Sequence, residues 1–494
     1  MHNLVELEAK ERQRFRESGQ DHVFDYYDTL TDVQKQSFLG QLSAIPVHQL
    51  TSFVNNALQQ QLQDGVAVDI KPFKLENVGK ASDELFDLGL SAISSNEVAA
   101  IILAGGQGTR LGFDGPKGMY DIGSPSHKSL FQLICEKLRR LQKLASSDKI
   151  NARIPLFIMT SPMNNETTTQ FFEQHNYFGL ESDQIRFFTQ GVLPCLALEG
   201  PVNKIIMEAP GTVAMAPDGN GGIYTALSNS GMISHMSELG VKYLHVFAID
   251  NALVKPADPS FIGYCIQSGA DCGNKVVWKQ HADEKVGVMV LQKPSSSEES
   301  KYVPCVVEYS DMDSDLLEQT DPDSGKLLYG AANICNHFYT LDFVQNIILP
   351  NYDKGAMYHI AKKKILFWDT SLEQTVTPTS NNGMKLESFI FDVFSLSQSM
   401  AIYEVQREEE FAPVKNAPGK GTIDSPDTAR EMISNLAKKW AIEAGATFLA
   451  SDSNDIDADC EISPLVSYKG EGLEELIKSK ANSAGKLSCP FILN

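Results

Sequence analysis

Apolar positions along this chain change their period twice. Over residues 1 to about 95 they recur at helical spacing: Phe24, Tyr27 and Leu30, then Phe38, Leu42 and Ile45, then Leu50, Phe53, Val54, Leu58 and Leu62. Residues three and four apart share a helix face, so this stretch predicts a helical lead-in. Its aromatic stripe reads as core packing. Residues 64–95 carry Pro72 and Gly79, lose the period and read as an irregular strap.

From about 96 the pattern shifts to short, nearly continuous apolar runs. They fall at 98–104, 154–160, 185–189, 241–249, 273–278, 286–291, 303–309 and 333–340. Runs of this length without alternation suit strands covered on both faces. Helical patterns at 126–145, 164–176 and 223–239 lie between the early ones. This alternation predicts an α/β, doubly wound, mostly parallel (Rossmann-like) sheet over 96–395. Residues 396–494 change character again. Ser425-Pro426 is a helix start, with Ser as N-cap and Pro at the first turn. The helix stops near Gly445, and loop and strand follow, giving a small α+β unit. Three domains are expected: 1–95 helical, 96–395 Rossmann-like and 396–494 α+β.

Ligands of doubly wound sheets bind outside the carboxyl ends of the strands. The first strand ends there in Leu103-Ala-Gly-Gly-Gln-Gly-Thr-Arg-Leu-Gly112, with Lys117 five residues on. Gly105, Gly106 and Gly108 lack Cβ atoms, so backbone N–H groups can approach a phosphate. Arg110 offers a two-pronged grip on phosphate oxygens and Lys117 a point charge. Gly106-Gln-Gly108 lacks the last glycine of the dinucleotide fingerprint, and no Gly-Lys-Ser/Thr makes a Walker loop. Asp250 follows the apolar run 243–249 and so falls at the same edge. It suits Mg²⁺, or Mn²⁺ in its place, which takes one or two carboxylates plus substrate phosphates. A turn-capping role is the competing account of Asp250. Asp392 is a weaker second metal candidate.

Composition removes several classes. Net charge is −21, against nucleic acid or an anionic membrane as main partner. No run reaches the ~20 apolar residues of a membrane span, and the N-terminus lacks a secretory pattern. Eight cysteines show no C-x-x-C pair and read as reduced thiols, so a cytoplasmic location is expected. Assembly is left open, with a homodimer as one option. Asp452, Asp455, Asp457 and Asp459 lack the register of a calcium loop and read as a solvated acidic loop. Ser295–Ser300 reads as an exposed hairpin tip.

The glycine loop, extended to Pro116-Lys-Gly-Met-Tyr120, resembles the signature of the eukaryotic UDP-N-acetylglucosamine pyrophosphorylases. Further blocks resemble that family in its order: Gln190-Gly-Val-Leu-Pro194, Pro217-Asp-Gly-Asn-Gly-Gly222, Asp250-Asn251, Val307-Glu-Tyr309, Asn333-Ile-Cys-Asn-His-Phe338, Glu387-Ser-Phe-Ile-Phe-Asp392 and Phe411-Ala-Pro-Val-Lys-Asn416. They span about residues 100 to 420. The resemblance implies a nucleotidyltransferase making UDP-N-acetylglucosamine and pyrophosphate from UTP and N-acetylglucosamine 1-phosphate. N-acetylgalactosamine 1-phosphate stays open as a second acceptor. The alternatives are a UDP-glucose or broad UDP-sugar pyrophosphorylase, and a non-catalytic nucleotide-sugar sensor.

The resemblance also distributes roles. Lys415 contacts phosphates, although alone it would read as a solvated lysine. The backbone of Leu103 and Gly105, with Gly219, walls the nucleotide. Asn220, Gly287, Glu308, Tyr309, Asn333, Phe389 and Phe391 surround the sugar and its N-acetyl group. Phe389 and Phe391, two apart on one expected strand face, suit an acetyl methyl, with plain core as the alternative. Gln190 is expected to pair its amide with both a uracil N–H and a carbonyl.

Overall fold

The computed structural model describes residues 2–64, 69–199, 203–293, 301–352, 357–448, 459–480, 486–487 and 490–494. The expected hairpin tip at 295–300 and Asp452, Asp455 and Asp457 lie outside the described residues. Internal contacts divide the chain into two compact units. The larger holds residues 70–189, 230–345 and 394–494; the smaller holds 1–69, 190–229 and 346–393. The chain divides at 69/70 rather than near 95, and at 393/394, close to the expected 395; residues 190–229 and 346–393 group with the N-terminal residues.

The larger unit is built on an eleven-stranded sheet. Strands Tyr243–Ala248, Val98–Leu103, Leu156–Thr160 and Ile185–Thr189 run parallel in that spatial order. The residues of the first three are almost all buried, as uninterrupted apolar runs require. Strand Ala331–Thr340 runs antiparallel on the other side of 243–248 and also pairs with Cys272–Trp278. Strands 272–278, Met400–Glu404 and Val78–Gly79 are again parallel. The hairpin Val288–Gln292/Val303–Val307 joins through Val288 opposite Ala332. The sheet is therefore mixed: two parallel blocks flank the antiparallel strand 331–340. Helix Leu130–Ala145 packs its expected face, Leu130, Leu133, Ile134, Leu138 and Leu141, inward, all five being buried. The expected helix 223–239 is two helices, Ile223–Asn229 and Met232–Glu238. Gly231 interrupts them at φ +74°, a left-handed value that glycine tolerates.

The strap expected at 64–95 contains a helix, Asp83–Ser94, capped by the Ser82 side chain. It packs on helix Pro259–Gln267 through two glycines. A Cβ on Gly89 would stand 2.0 Å from the Pro259 carbonyl oxygen, and one on Gly263 would stand 1.9 Å from that of Leu85. Helix backbones approach this closely only where side chains are missing. Residues 426–443 form the expected helix, with Ser425 and Thr428 reciprocally bonded as its cap.

In the smaller unit, helices His2–Glu17, Asp32–Ser43 and Leu50–Asp64 share a core with Leu193, Leu196, Met384 and Leu386. The Phe24-Tyr27-Leu30 stretch, expected to be helical, forms two short 3₁₀ turns instead. Its aromatics pack inward, as expected: Phe24 and Phe38 meet edge-on at 5.9 Å.

Candidate active site

The Gly loop leaves the 98–103 strand and folds back on itself. Gly108 N–H donates to the Gly115 carbonyl at 2.8 Å and Lys117 N–H to that of Gly106 at 3.2 Å. This return places Lys117 beside the strand end rather than out along the loop. Gly106 is open on its outer side, with no atom within 4 Å of where a Cβ would be. Gly108 packs inward, and a Cβ there would meet Phe113 at 2.7 Å. One glycine thus leaves room for a ligand and another closes the turn. Leu103 ends the strand buried, its carbonyl accepting from Ile249 N–H at 3.2 Å.

That bond brings the end of the 243–248 strand alongside, and Asp250 with it. Lys117 Nζ lies 3.9 Å from Asp250 Oδ2. Burial pushes the Lys117 ammonium below its usual range. Asp250 opposes that shift, and Arg110 and Lys415 add to it. Four groups expected from the sequence to hold phosphates and metal therefore act on one another in one place. Arg110, in the turn Thr109–Leu111, is exposed, as is Lys415.

Asn251 secures this arrangement. Its Oδ1 accepts from Ala412 N–H at 2.9 Å and Leu253 N–H at 3.2 Å, and its Nδ2 donates to the Glu410 carbonyl at 2.6 Å. Val414 N–H donates to the Asp250 carbonyl at 2.8 Å. Segment 410–414 is thereby stapled to Asp250, and Lys415 follows directly. The Glu410 carboxylate is itself buried against Lys275 and Lys255. Burial would raise it, but those two ammoniums hold it well below the usual carboxylate range. Asp258 accepts from Lys275 at 2.6 Å. Sequence reading named Asn251 only as a neighbour of Asp250. Glu410, Lys275 and Lys255 carried no local signal, because their pairing joins distant segments.

Three of the expected sugar residues also meet in the larger unit. Asn333 N–H donates to the Gly287 carbonyl at 2.9 Å. A Cβ on Gly287 would sit 3.1 Å from Glu308 Oε1. Burial, and then Asp311, push the Glu308 carboxyl up. Tyr309 lies next to it, 38% exposed, past the end of the strand, which stops at Val307 rather than 309. Strand 331–340 carries a bulge opposite Asn274/Val276, and Cys335 within it takes φ +53°. Its N–H is held by Asn333 Oδ1 at 3.1 Å. Burial pushes its thiol up to about 12, and Asp250 and Lys415 act on it as well. The bulge thus carries the chain from the Asn333 group to the Asp250 group.

The remaining expected residues lie in the smaller unit. Gln190 Nε2 donates to the Gly219 carbonyl at 2.5 Å. Gly219 has φ +88°, and a Cβ there would be 2.1 Å from the Ser388 carbonyl oxygen. Asn220 Oδ1 accepts from Ile390 N–H at 3.0 Å. Phe389 and Phe391 are not on a strand: the strand Gly383–Glu387 ends first. The bonds from Ile390 N–H to Asn220 and from Phe389 N–H to Asp392 Oδ2, the latter 2.7 Å, hold a turn there. The two rings nonetheless stack, 5.2 Å apart and 13° from parallel, and both are half-buried. Asp392 has both oxygens engaged, Oδ1 by His359 Nε2 at 3.0 Å. It clamps the aromatic turn, which leaves Asp250 as the metal candidate. Among the described residues no cluster of three or more His, Cys, Asp or Glu side chains makes a metal site. A single carboxylate completed by substrate phosphates is the kind of site that fits Mg²⁺.

The chain matches the family model "UTP--glucose-1-phosphate uridylyltransferase" over residues 48–440. It is 39% identical to the UDP-N-acetylglucosamine diphosphorylase 2 of Arabidopsis thaliana, covering 95% of this chain and 91% of that one. It is 38% identical to the UDP-N-acetylglucosamine pyrophosphorylase of Saccharomyces cerevisiae, covering 94% and 96%. The solved structure of the uridine diphosphate N-acetylglucosamine pyrophosphorylase of Trypanosoma brucei superposes with a TM-score of 0.82 at 30% identity, covering 98% and 97%. The chain belongs to the UTP--glucose-1-phosphate uridylyltransferase family, and within it to the UDP-N-acetylglucosamine pyrophosphorylases.

Proposed function

We propose that this chain is a uridylyltransferase that joins UTP to N-acetylglucosamine 1-phosphate and releases pyrophosphate. The sugar phosphate oxygen is already a nucleophile at neutral pH. Its bond to the UTP α-phosphorus forms as the bond from that phosphorus to the bridging β-phosphate oxygen breaks. No strong base is needed. The obstacles are repulsion between two polyanions and misalignment, so catalysis is by positioning and electrostatics. The single observation that carries this reading is the meeting of Lys117, Asp250, Arg110 and Lys415 at the sheet edge.

In this reading Arg110 and the loop N–H groups hold the leaving phosphates, and Lys117 and Lys415 balance charge where the bond changes. Asp250 would hold a Mg²⁺ or Mn²⁺ ion, which when bound supplies further charge neutralisation. Gly287, Glu308, Tyr309 and Asn333 address the sugar; Gln190 and Gly219 address the uracil. Asn220 acts through the turn that carries Phe389 and Phe391. Loss of Arg110, Lys117 or Asp250 would favour a non-catalytic sensor, and all three are present. The relatives at 38–40% identity are by name N-acetylhexosamine or N-acetylglucosamine pyrophosphorylases, or proteins like them, which disfavours the glucose alternative. A cytoplasmic location belongs to the same proposal, supported by the free thiols among the described cysteines. No helix among the described residues is long and apolar enough to cross a membrane.

The test is pyrophosphate release from UTP with a panel of sugar 1-phosphates, with and without Mg²⁺. Turnover of N-acetylglucosamine 1-phosphate well above glucose 1-phosphate is expected. The reverse preference would overturn the sugar assignment, and turnover unchanged by chelation would overturn the metal.

A further inference from the structure

Asp218 is a carboxylate in an unusual place. It is 4% exposed, and Oδ1 has no hydrogen-bond partner. Two glycines make its slot: a Cβ on Gly191 would lie 2.3 Å from Oδ2, and one on Gly222 would lie 2.1 Å from Oδ1. Its backbone is pinned as well. Asp218 N–H donates to the Gly191 carbonyl at 3.2 Å, and its own carbonyl accepts from Ser388 N–H at 2.8 Å. The side chain therefore has little room to move, and the Gln190 amide, bonded to the next residue, Gly219, lies beside it and lowers its pKa.

Gln190 Nε2 carries two N–H groups. One donates to the Gly219 carbonyl at 2.5 Å, and the neighbouring Asp218 carboxylate is the acceptor that the other interacts with. Rotating the amide by half a turn would set Oε1 against a carbonyl oxygen and a carboxylate at once. Acceptor against acceptor is repulsive, so only one orientation is allowed. That leaves Oε1 as the end free for a ligand. The expected two-bond pairing of this amide with uracil is thus replaced by a single acceptor.

We propose that Asp218 is a positioning residue that fixes the Gln190 amide with Oε1 toward the base, making the site selective for uracil over cytosine. This rests on the reading of Gln190 as the uracil-facing side chain. The chemistry is direct. Uracil presents N3–H, a donor that Oε1 accepts. Cytosine presents an unprotonated N3, an acceptor that Oε1 repels. An amide free to turn would offer Nε2 to cytosine and serve both bases. Selectivity therefore comes from forbidding the second orientation rather than from the amide itself.

The experiment compares kcat/KM for UTP and CTP, with N-acetylglucosamine 1-phosphate, in wild type, Asp218→Asn and Gln190→Met. The carboxamide that Asp218→Asn puts in the slot can donate to a turned Gln190 amide as readily as accept from an unturned one, which leaves the Gly219 carbonyl alone to oppose the turn. We expect this variant to lower the UTP:CTP ratio at least about fivefold. Gln190→Met, which removes the amide, should lower the ratio too. A lowered ratio in Gln190→Met with an unchanged ratio in Asp218→Asn overturns the lock and leaves the uracil reading standing. An unchanged ratio in Gln190→Met overturns both. A further arm needs no variant. Burial raises the Asp218 carboxyl to about 6, the Gln190 bond opposing. The titratable groups that face it are the phenols of Tyr352 and Tyr358, both pushed up and neutral across this range. The wild-type UTP:CTP ratio should fall between about pH 8 and about pH 5.5. Phosphate ionisation is common to both nucleotides and cancels. A flat ratio together with an unchanged ratio in Asp218→Asn overturns the proposal.

Discussion

Lys117 Nζ stands 3.9 Å from Asp250 Oδ2, which joins the glycine loop to the end of the neighbouring parallel strand. The two residues lie far apart in sequence, and the sheet register brings them together: Ala248 pairs with Leu103. Lys117 is partly buried beside two other cations, so Asp250 is what favours its charge. A bound polyphosphate would take over that task.

Lys117→Ala and Arg110→Ala should each lose about 2–4 kcal/mol of transition-state stabilisation in kcat/KM, the size of a preorganised donor. Melting temperature should change little, since neither side chain carries core area. Near wild-type kinetics in both variants would reduce the loop to a turn.

Asp250→Asn removes the charge and keeps the shape. We expect kcat/KM to fall by at least about 3 kcal/mol and the Mg²⁺ concentration for half-maximal rate to rise. A metal titration unchanged in midpoint would move the ion to other ligands.

Asn251→Ala tests the staple. It leaves the Glu410 carbonyl and the Ala412 N–H without partners in a buried setting. Each orphaned group costs roughly 1–3 kcal/mol, so chemical denaturation should show a clear loss. Lys415 should also lose its placement, lowering kcat more than it raises the KM for UTP. A stable variant with wild-type kcat would show that segment 410–414 is held by its backbone alone.

These residues show how far the sequence could be read. Strands such as 98–103 and 243–248 were legible because both faces are buried and the apolar run is continuous. The Gly loop and Asp250 were legible because they follow such runs. The helix 83–94 was not: Gly89 stands in its middle and blurs the periodicity. That glycine is there for a contact with Pro259, which only the fold reveals. The same holds at 389–391. The two-residue spacing of Phe389 and Phe391 suits one strand face, but Asn220 and Asp392 bond the backbone into a turn. Asp218 carries no local signal, since its meaning depends on Gly191, Gly222 and Gln190 closing around it.

The helix contact yields a paired stability test. Gly89→Ala would drive a methyl to 2.0 Å from a backbone oxygen, so the two helices must part. A loss of about 1–3 kcal/mol is expected from such overpacking. Gly40, in the helix Asp32–Ser43, has nothing within 4 Å of its would-be Cβ. Gly40→Ala should therefore stabilise by about 0.5–1 kcal/mol through helix propensity. Equal effects at the two sites would mean that the 83–94 helix packs less closely than described.

The last test concerns Asp218 and stability rather than substrate choice. Its carboxyl is raised from 3.8 to about 6 in the folded chain, by burial. Between those values the folded protein keeps a proton that the unfolded chain has released. Stability contributed at this site therefore falls as pH rises from about 4 to about 6 and stays low above it. A shift of about two units corresponds to about 3 kcal/mol when complete. Asp218→Asn has no proton to lose there. The stability of the variant minus that of wild type should thus climb across this window and level off by about pH 7. Urea denaturation of both proteins at several pH values measures the difference directly. Curves that stay parallel from about pH 4 to about pH 7 would show that the carboxyl titrates normally, and that the slot between Gly191 and Gly222 is open to water.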